Sequence, residues 1–144
     1  MRAVCQRVSS AKVVVSDRII GATGHGLIVF LGIHKEDDEK SALKMADKIS
    51  RLRIFDDRAG KMNLSIQDIK GEIMLISQFT LYGSTKSGNR PSFTEAAPPD
   101  QARVLYEMVR DRLAERHVVK TGVFQALMTI DARNDGPVTV ILET

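Results

Sequence analysis

Apolar and polar positions along the chain alternate, cluster and recur in ways that predict most of its elements. Ala3 to Val8 alternates weakly and predicts a first strand. Val13-Val14-Val15 and Ile19-Ile20 flank Ser16-Asp17-Arg18, the pattern of a hairpin. Gly24-His25-Gly26 makes a turn, and the apolar run Leu27 to Ile33 follows as a strand. Glu36-Asp37-Asp38-Glu39 opens a helix, because acids in a first turn complement the positive end of the helix dipole. Ala42, Met45, Ala46, Ile49 and Leu52 then recur at helical spacing and predict its buried face. Past the turn Asp56 to Lys61, Met62, Leu64 and Ile66 alternate as a short strand. Glu72 to Leu81, between Gly71 and Gly83, reads as the central strand, buried on both faces where it is apolar.

The second half is less regular. Tyr82 to Pro99 is long, polar and rich in Gly, Ser and Pro, and long loops in compact domains are functional or disordered. Pro98-Pro99-Asp100 starts a second helix with Asp100 as its cap, a stripe of Ala102, Leu105, Tyr106, Val109 and Leu113, and an end near His117. Phe124, Ala126, Met128, Ile130 and Ala132 alternate over a full strand. Asn134-Asp135-Gly136-Pro137 reads as a hairpin turn, and Val138 to Leu142 as the returning last strand.

A chain of 144 residues suits one domain, residues 1–144, with a core of its own. No apolar run is long enough for a bilayer, so no membrane partner is expected. The start, Met1 to Val8, is too polar for a signal peptide, which makes the cytoplasm the default location. A single cysteine, Cys5, excludes an internal disulfide, and no Cys/His spacing suggests a metal. A net charge of +3 admits a nucleic-acid partner without demanding one.

Three places carry candidate chemistry. Ser77, Gln78 and Thr80 put hydroxyl and amide groups where a buried strand should stay apolar, and such groups must be hydrogen-bonded. They are either the polar end of a core strand or a site. Gly88-Asn89-Arg90-Pro91-Ser92-Phe93 sets a cation beside a rigid proline and an aromatic ring. That order suits a phosphate and a base as well as it suits a plain surface loop. Arg7 stands in the first strand, where a long cation is usually a surface residue with its stem on apolar neighbours.

Taken together, these motifs resemble the D-aminoacyl-tRNA deacylases, historically called D-tyrosyl-tRNA deacylases. Ser77-Gln78-Phe79-Thr80-Leu81, Arg90-Pro91-Ser92-Phe93 and Asn134-Asp135-Gly136-Pro137-Val138-Thr139 carry the resemblance. Gln6-Arg7-Val8 and Gly60-Lys61-Met62-Asn63-Leu64 fit it too, in the family's order and spacing over essentially the whole chain. The resemblance implies an α/β (α+β) fold, a barrel-like mixed β-sheet with two main helices, in a homodimer. It implies hydrolysis of the ester joining a D-amino acid, or mischarged glycine, to the 3′-terminal adenosine of tRNA. It implies that the Gly136-Pro137 peptide is cis and enters the pocket of the other subunit, supported by Arg7.

Ser77, Gln78, Phe79 and Thr80 would then form the catalytic strand end, with Arg90, Pro91 and Phe93 in support. Backbone N–H groups near Gln78 and Phe79 are candidate donors to the oxyanion. Neither Ser77 nor Thr80 has an evident base, and an unactivated hydroxyl is a weak nucleophile. The family is held to use the 2′-OH of the substrate's terminal ribose instead, with no cofactor. Two other classes stay open: an RNA-binding module without catalysis, and a hydrolase of small esters or peptides acting through Thr80 or Ser77.

Overall fold

The structure is a computed structural model that describes residues 1–144. Its framework is the strand β1, Arg2–Val15, longer than the Ala3–Val8 segment that the alternation alone picks out. Ala3 and Cys5 point into one core, whereas Val8, Ala11 and Val13 point into another. Strict alternation would keep Ala3, Cys5, Ala11 and Val13 on one face. The register against the partner strand shifts between Val8 and Ser10, and that irregularity exchanges the faces.

Ser16 and Asp17 take left-handed φ values of 47° and 62°, the geometry of a two-residue hairpin turn. The chain therefore reverses into β2, Arg18–Thr23, antiparallel to the second half of β1. β3, Gly26–Gly32, pairs antiparallel with the first half of β1. α1 follows at Glu39–Arg51, capped by the Asp38 carboxylate, which accepts from the Ser41 N–H at 2.8 Å. β4, Arg53–Asp56, and β5, Met62–Ser65, form a separate two-stranded ribbon.

β6, Glu72–Ser77, lies parallel between β3 and β7, Val118–Thr121. Its run Ile73-Met74-Leu75-Ile76 is buried on both faces, as a parallel central strand requires. Leu27, Val29, Leu31, Ile73 and Leu75 face α1 and α2, Pro99–Ala114. Ile28, Met74 and Ile76 face the inside of the curled sheet together with Val8 and Val13. Each such side chain contributes about 1.5–3 kcal/mol on burial. β2 curls back so far that a Cβ on Gly21 would stand 3.1 Å from the Thr121 carbonyl on β7. The sheet is a nearly closed barrel with both helices on one side.

Four readings of the pattern are corrected by the fold. The central strand ends at Ser77, and Phe79–Tyr82 is a 3-10 turn. α2 begins behind Pro98, and Asp100 lies in its first turn without capping it, since proline at the start needs no N–H acceptor. Phe124 to Met128 is irregular, and the last strand, β8, starts at Thr129.

The fourth concerns Asn134 to Pro137, which does not reverse the chain. β8 runs from Thr129 to Glu143 along the whole free edge of β1, with Asn134 opposite Val8 and Thr139 opposite Gln6. Residues 135–138 bulge out of that ladder, more of them than β1 offers partners for. Asn-Asp-Gly-Pro composition marks a backbone irregularity. It does not distinguish a turn from a bulge.

Candidate active site

At the carboxyl end of β6 the chain leaves the sheet. The Gln78 N–H still donates to the Leu31 carbonyl of β3 at 2.8 Å, so the sheet ladder holds it. The next two amides, those of Phe79 and Thr80, donate to no side chain and make no loop or cap hydrogen bond. They are the first N–H groups of a helical turn, which have no partner inside the turn itself. Of the two amides expected to serve as donors, that of Gln78 is therefore occupied, whereas that of Phe79 leads the turn.

The turn is held from behind by Arg2. Its Nη1 donates to the Leu81 carbonyl at 2.9 Å, and its guanidinium lies 5.2 Å from the centre of the Tyr82 ring. Tyr82 also packs on His34, with ring centres 5.1 Å apart. Burial, and Asp37 nearby, push its phenol up to about 12, so it stays protonated.

Beside the turn opens a pocket of about 680 Å3, mostly apolar. Ser77, Gln78 and Phe79 form one wall, Phe93 another, and the irregular segment from Phe124 to Met128 a third. Ala97, Pro99 and Ala102 at the start of α2 lie along it. Phe79 and Phe93 meet edge to face at 5.0 Å. The loop carrying Phe93 is anchored at its base, where the Glu95 carboxylate meets Lys35 Nζ at 2.9 Å and His34 Nε2 at 3.1 Å. Those two partners hold the Glu95 carboxyl below its ordinary range.

The structure thus gathers Ser77, Gln78, Phe79 and Phe93 around one cavity. Thr80 is exposed beside the wall, and its Oγ1 accepts a hydrogen bond from the side-chain Nε2 of Gln78. Arg90 and Pro91 are exposed on the Phe93 loop, outside the lining. The strands alone did not announce Ala97, Pro99, Ala102 or the segment from Phe124 to Met128. The signal for the first three was their small size around the start of a helix. The signal for the last was the Thr121-Gly122 break, outweighed by its alternation.

No base stands beside the hydroxyls. Neither Ser77 Oγ nor Thr80 Oγ1 is hydrogen-bonded to a histidine, lysine or carboxylate. His25 packs on Phe55, His34 on Glu95 and Tyr82, and His117 Nε2 is 2.7 Å from Ser50 Oγ. The Cys5 thiol is buried in the core, and that burial pushes it up to about 12, far from a reactive thiolate. No group of three or more His, Cys, Asp or Glu side chains is placed to hold a metal ion.

Gly136 and Pro137 lie elsewhere. They are exposed on the β8 bulge, their peptide bond is cis, and neither lines the pocket. Arg7 opposite the bulge is 8% exposed, so it is a buried cation and not the usual surface one. Three groups hold it: its Nη1 donates to the Ile54 carbonyl at 2.9 Å and to Asp56 at 3.3 Å, and its Nε to the Asp135 carbonyl at 3.2 Å. Arg7 faces Leu27 on β3, whereas Ser77 faces Leu31. Four residues of strand, about 13 Å at 3.3 Å each, therefore separate the two places along β3.

The fold, a curled mixed sheet with a pocket at the end of its central parallel strand and no nucleophile–base pair at that pocket, sets a class; similarity to known proteins sets the family. The family model described as D-Tyr-tRNA(Tyr) deacylase matches residues 4–143. The chain is 54% identical over 145 residues to the D-aminoacyl-tRNA deacylase of Thermotoga petrophila, covering all of this chain and 97% of that one. It is 50% identical to the enzyme of the same name from Bacillus velezensis, over 100% and 99% of the two chains. The chain belongs to this deacylase family. Among solved structures it is similar to the c-Myc DNA Unwinding Element Binding Protein, with a TM-score of 0.95 at 41% identity over 100% and 99% of the chains. A probable eukaryotic D-amino acid tRNA deacylase shares the fold, with a TM-score of 0.88 at 13% identity.

Proposed function

We propose that this chain hydrolyses the ester joining a D-amino acid to the 3′-terminal adenosine of tRNA, in the cytoplasm and as a homodimer. Mischarged glycyl-tRNA is a second substrate, and L-aminoacyl-tRNA is rejected. The observation that carries the reading is the pair of N–H groups of Phe79 and Thr80 that lead the 3-10 turn at the edge of the apolar pocket, without a partner inside that turn. Donors fixed in advance beside a developing oxyanion stabilise it without reorganising. The apolar walls, with Phe79 and Phe93 among them, suit a nucleoside end.

The reaction needs no side-chain nucleophile. With no base at Ser77 or Thr80, the terminal ribose 2′-OH assists the attack of water, and the strand end positions the ester. An enzyme that accepts many D-amino acids cannot read the side chain. It reads the α-ammonium, the α-hydrogen and the ester. Backbone carbonyls near the α-carbon accept from the ammonium and crowd the side on which an L side chain projects; glycine has none and passes.

Gly136 and Pro137 are our choice for that filter. They are exposed, Pro137 has a fixed φ, and buried Arg7 braces the carbonyl of Asp135 just before them. Their separation from the pocket of their own chain supports a filter that acts on the pocket of a second copy.

Purified protein incubated with D-Tyr-tRNA, Gly-tRNA and L-Tyr-tRNA tests the reading. The first two should lose their amino acid and the third keep it. No release from D-Tyr-tRNA would favour a binding module. Cleavage of D-tyrosine esters lacking any nucleoside would favour a small-ester hydrolase.

A further inference from the structure

The pocket has room for the end of an RNA strand but not for the strand that leads to it. Somewhere at its mouth the chain has to meet phosphate. Arg103, on the first turns of α2, stands over the ring of Phe124, its guanidinium carbon 4.9 Å from the ring centre. Phe124 is a wall of the pocket and is backed in turn by Tyr106, with ring centres 5.8 Å apart. Arg103 is exposed and forms no salt bridge, although Asp100 and Glu107 share its helix. On the same helix, Arg110 and Arg112 are both paired with carboxylates. Arg103 thus combines a guanidinium placed over the ring of a pocket-wall residue with N–H groups that no protein carboxylate engages. A cation–π contact uses none of the guanidinium N–H donors, and that fork of donors suits a phosphate.

We propose that Arg103 binds a backbone phosphate of the single-stranded 3′ end of the substrate as it leaves the pocket. The proposal rests on the deacylase reading and names a binding residue outside the strand motif. Its role is to hold the strand, and its effect belongs in KM.

The test compares two substrates of the same ester, D-Tyr-tRNA and D-tyrosyl-adenosine, which has no phosphate. Arg103→Ala should lower kcat/KM on the tRNA by about tenfold, mainly through KM. The loss on the adenosine ester should be several-fold smaller. The slope of log kcat/KM against log salt on tRNA should flatten by about 0.7, one single-strand phosphate contact. Arg103→Lys keeps the charge and should restore the slope. Equal losses on both esters, or no loss on tRNA, would overturn the assignment and leave Arg103 a brace for Phe124. If wild-type protein cleaves neither ester, the deacylase reading fails and takes this proposal with it.

Discussion

Replacing Gly136 by alanine probes the filter most economically. Gly136 has a φ of 125°, which L residues rarely adopt. An added Cβ would stand 2.7 Å from Val138 Cγ2, 2.9 Å from the Val138 nitrogen and 3.3 Å from Arg7 Nη2. The bulge has to move, at a cost of about 1–3 kcal/mol. With an unfolding entropy of about 0.3 kcal/mol/K for a chain of this length, Tm should fall by about 3–10 °C. Activity should fall much further. If the Gly136 and Pro137 carbonyls each accept from the substrate ammonium, as proposed, losing both at about 1.5–3 kcal/mol each corresponds to a loss of about 10²–10⁴-fold. Gly60→Ala is the control: φ is 71°, nothing lies within 4 Å of the new Cβ, and Gly60 does not line the pocket. It should lower Tm and leave turnover alone. Thermal melts and release of D-tyrosine from D-Tyr-tRNA measure both. A Gly136→Ala variant with a lowered Tm and turnover within threefold of wild type would reduce Gly136 to a structural bulge residue.

Three further outcomes are expected. Thr80→Ala should keep substantial activity, whereas a 2′-deoxy terminal adenosine should lose about 10²–10⁴-fold with binding preserved; the opposite pattern would make Thr80 the nucleophile. Arg7→Ala should weaken turnover less than Gly136→Ala and cost about 1–3 kcal/mol, because Asp56, Asp135 and the Ile54 carbonyl lose their shared donor; unchanged activity would remove it from the filter. Burial and the neighbouring Arg116 hold His117 below its ordinary 6.5, so its contribution to stability is complete above that value and lost as pH falls through the lower folded-state value. Tm should accordingly drop more between pH 7 and 5 in wild type than in His117→Gln; identical pH profiles would refute that.

The sequence made the interior legible and the edges less so. The helix stripe from Ala42 to Ile49 and the run Ile73 to Ile76 were readable because burial imposes a period or a continuous apolar stretch. β7 was not readable: Val118 to Thr121 is short, half-exposed and mixed with lysine. Phe124, Ala126 and Met128 alternate but face a pocket, and periodicity cannot distinguish a cavity wall from a sheet face. Arg7 looked like a surface cation because its three acceptors lie far away in sequence, at Ile54, Asp56 and Asp135. The strand-end motif was legible as polar groups out of place, but that the neighbouring strand takes up the Gln78 amide was not.

Complementation within a mixed dimer tests the central claim, that a D-aminoacyl-tRNA is deacylated in one subunit's pocket under the filter of the other. Ala102→Trp fills the pocket wall on α2, and Gly136→Ala spoils the filter. Each variant alone should be nearly inactive on D-Tyr-tRNA. Differently tagged chains, co-expressed and purified through both tags, give dimers holding one of each. Such a dimer has one unfilled pocket facing one intact Gly136-Pro137, so it should recover about half of the wild-type turnover per dimer. Turnover no higher than that of the two variants alone would contradict a shared site.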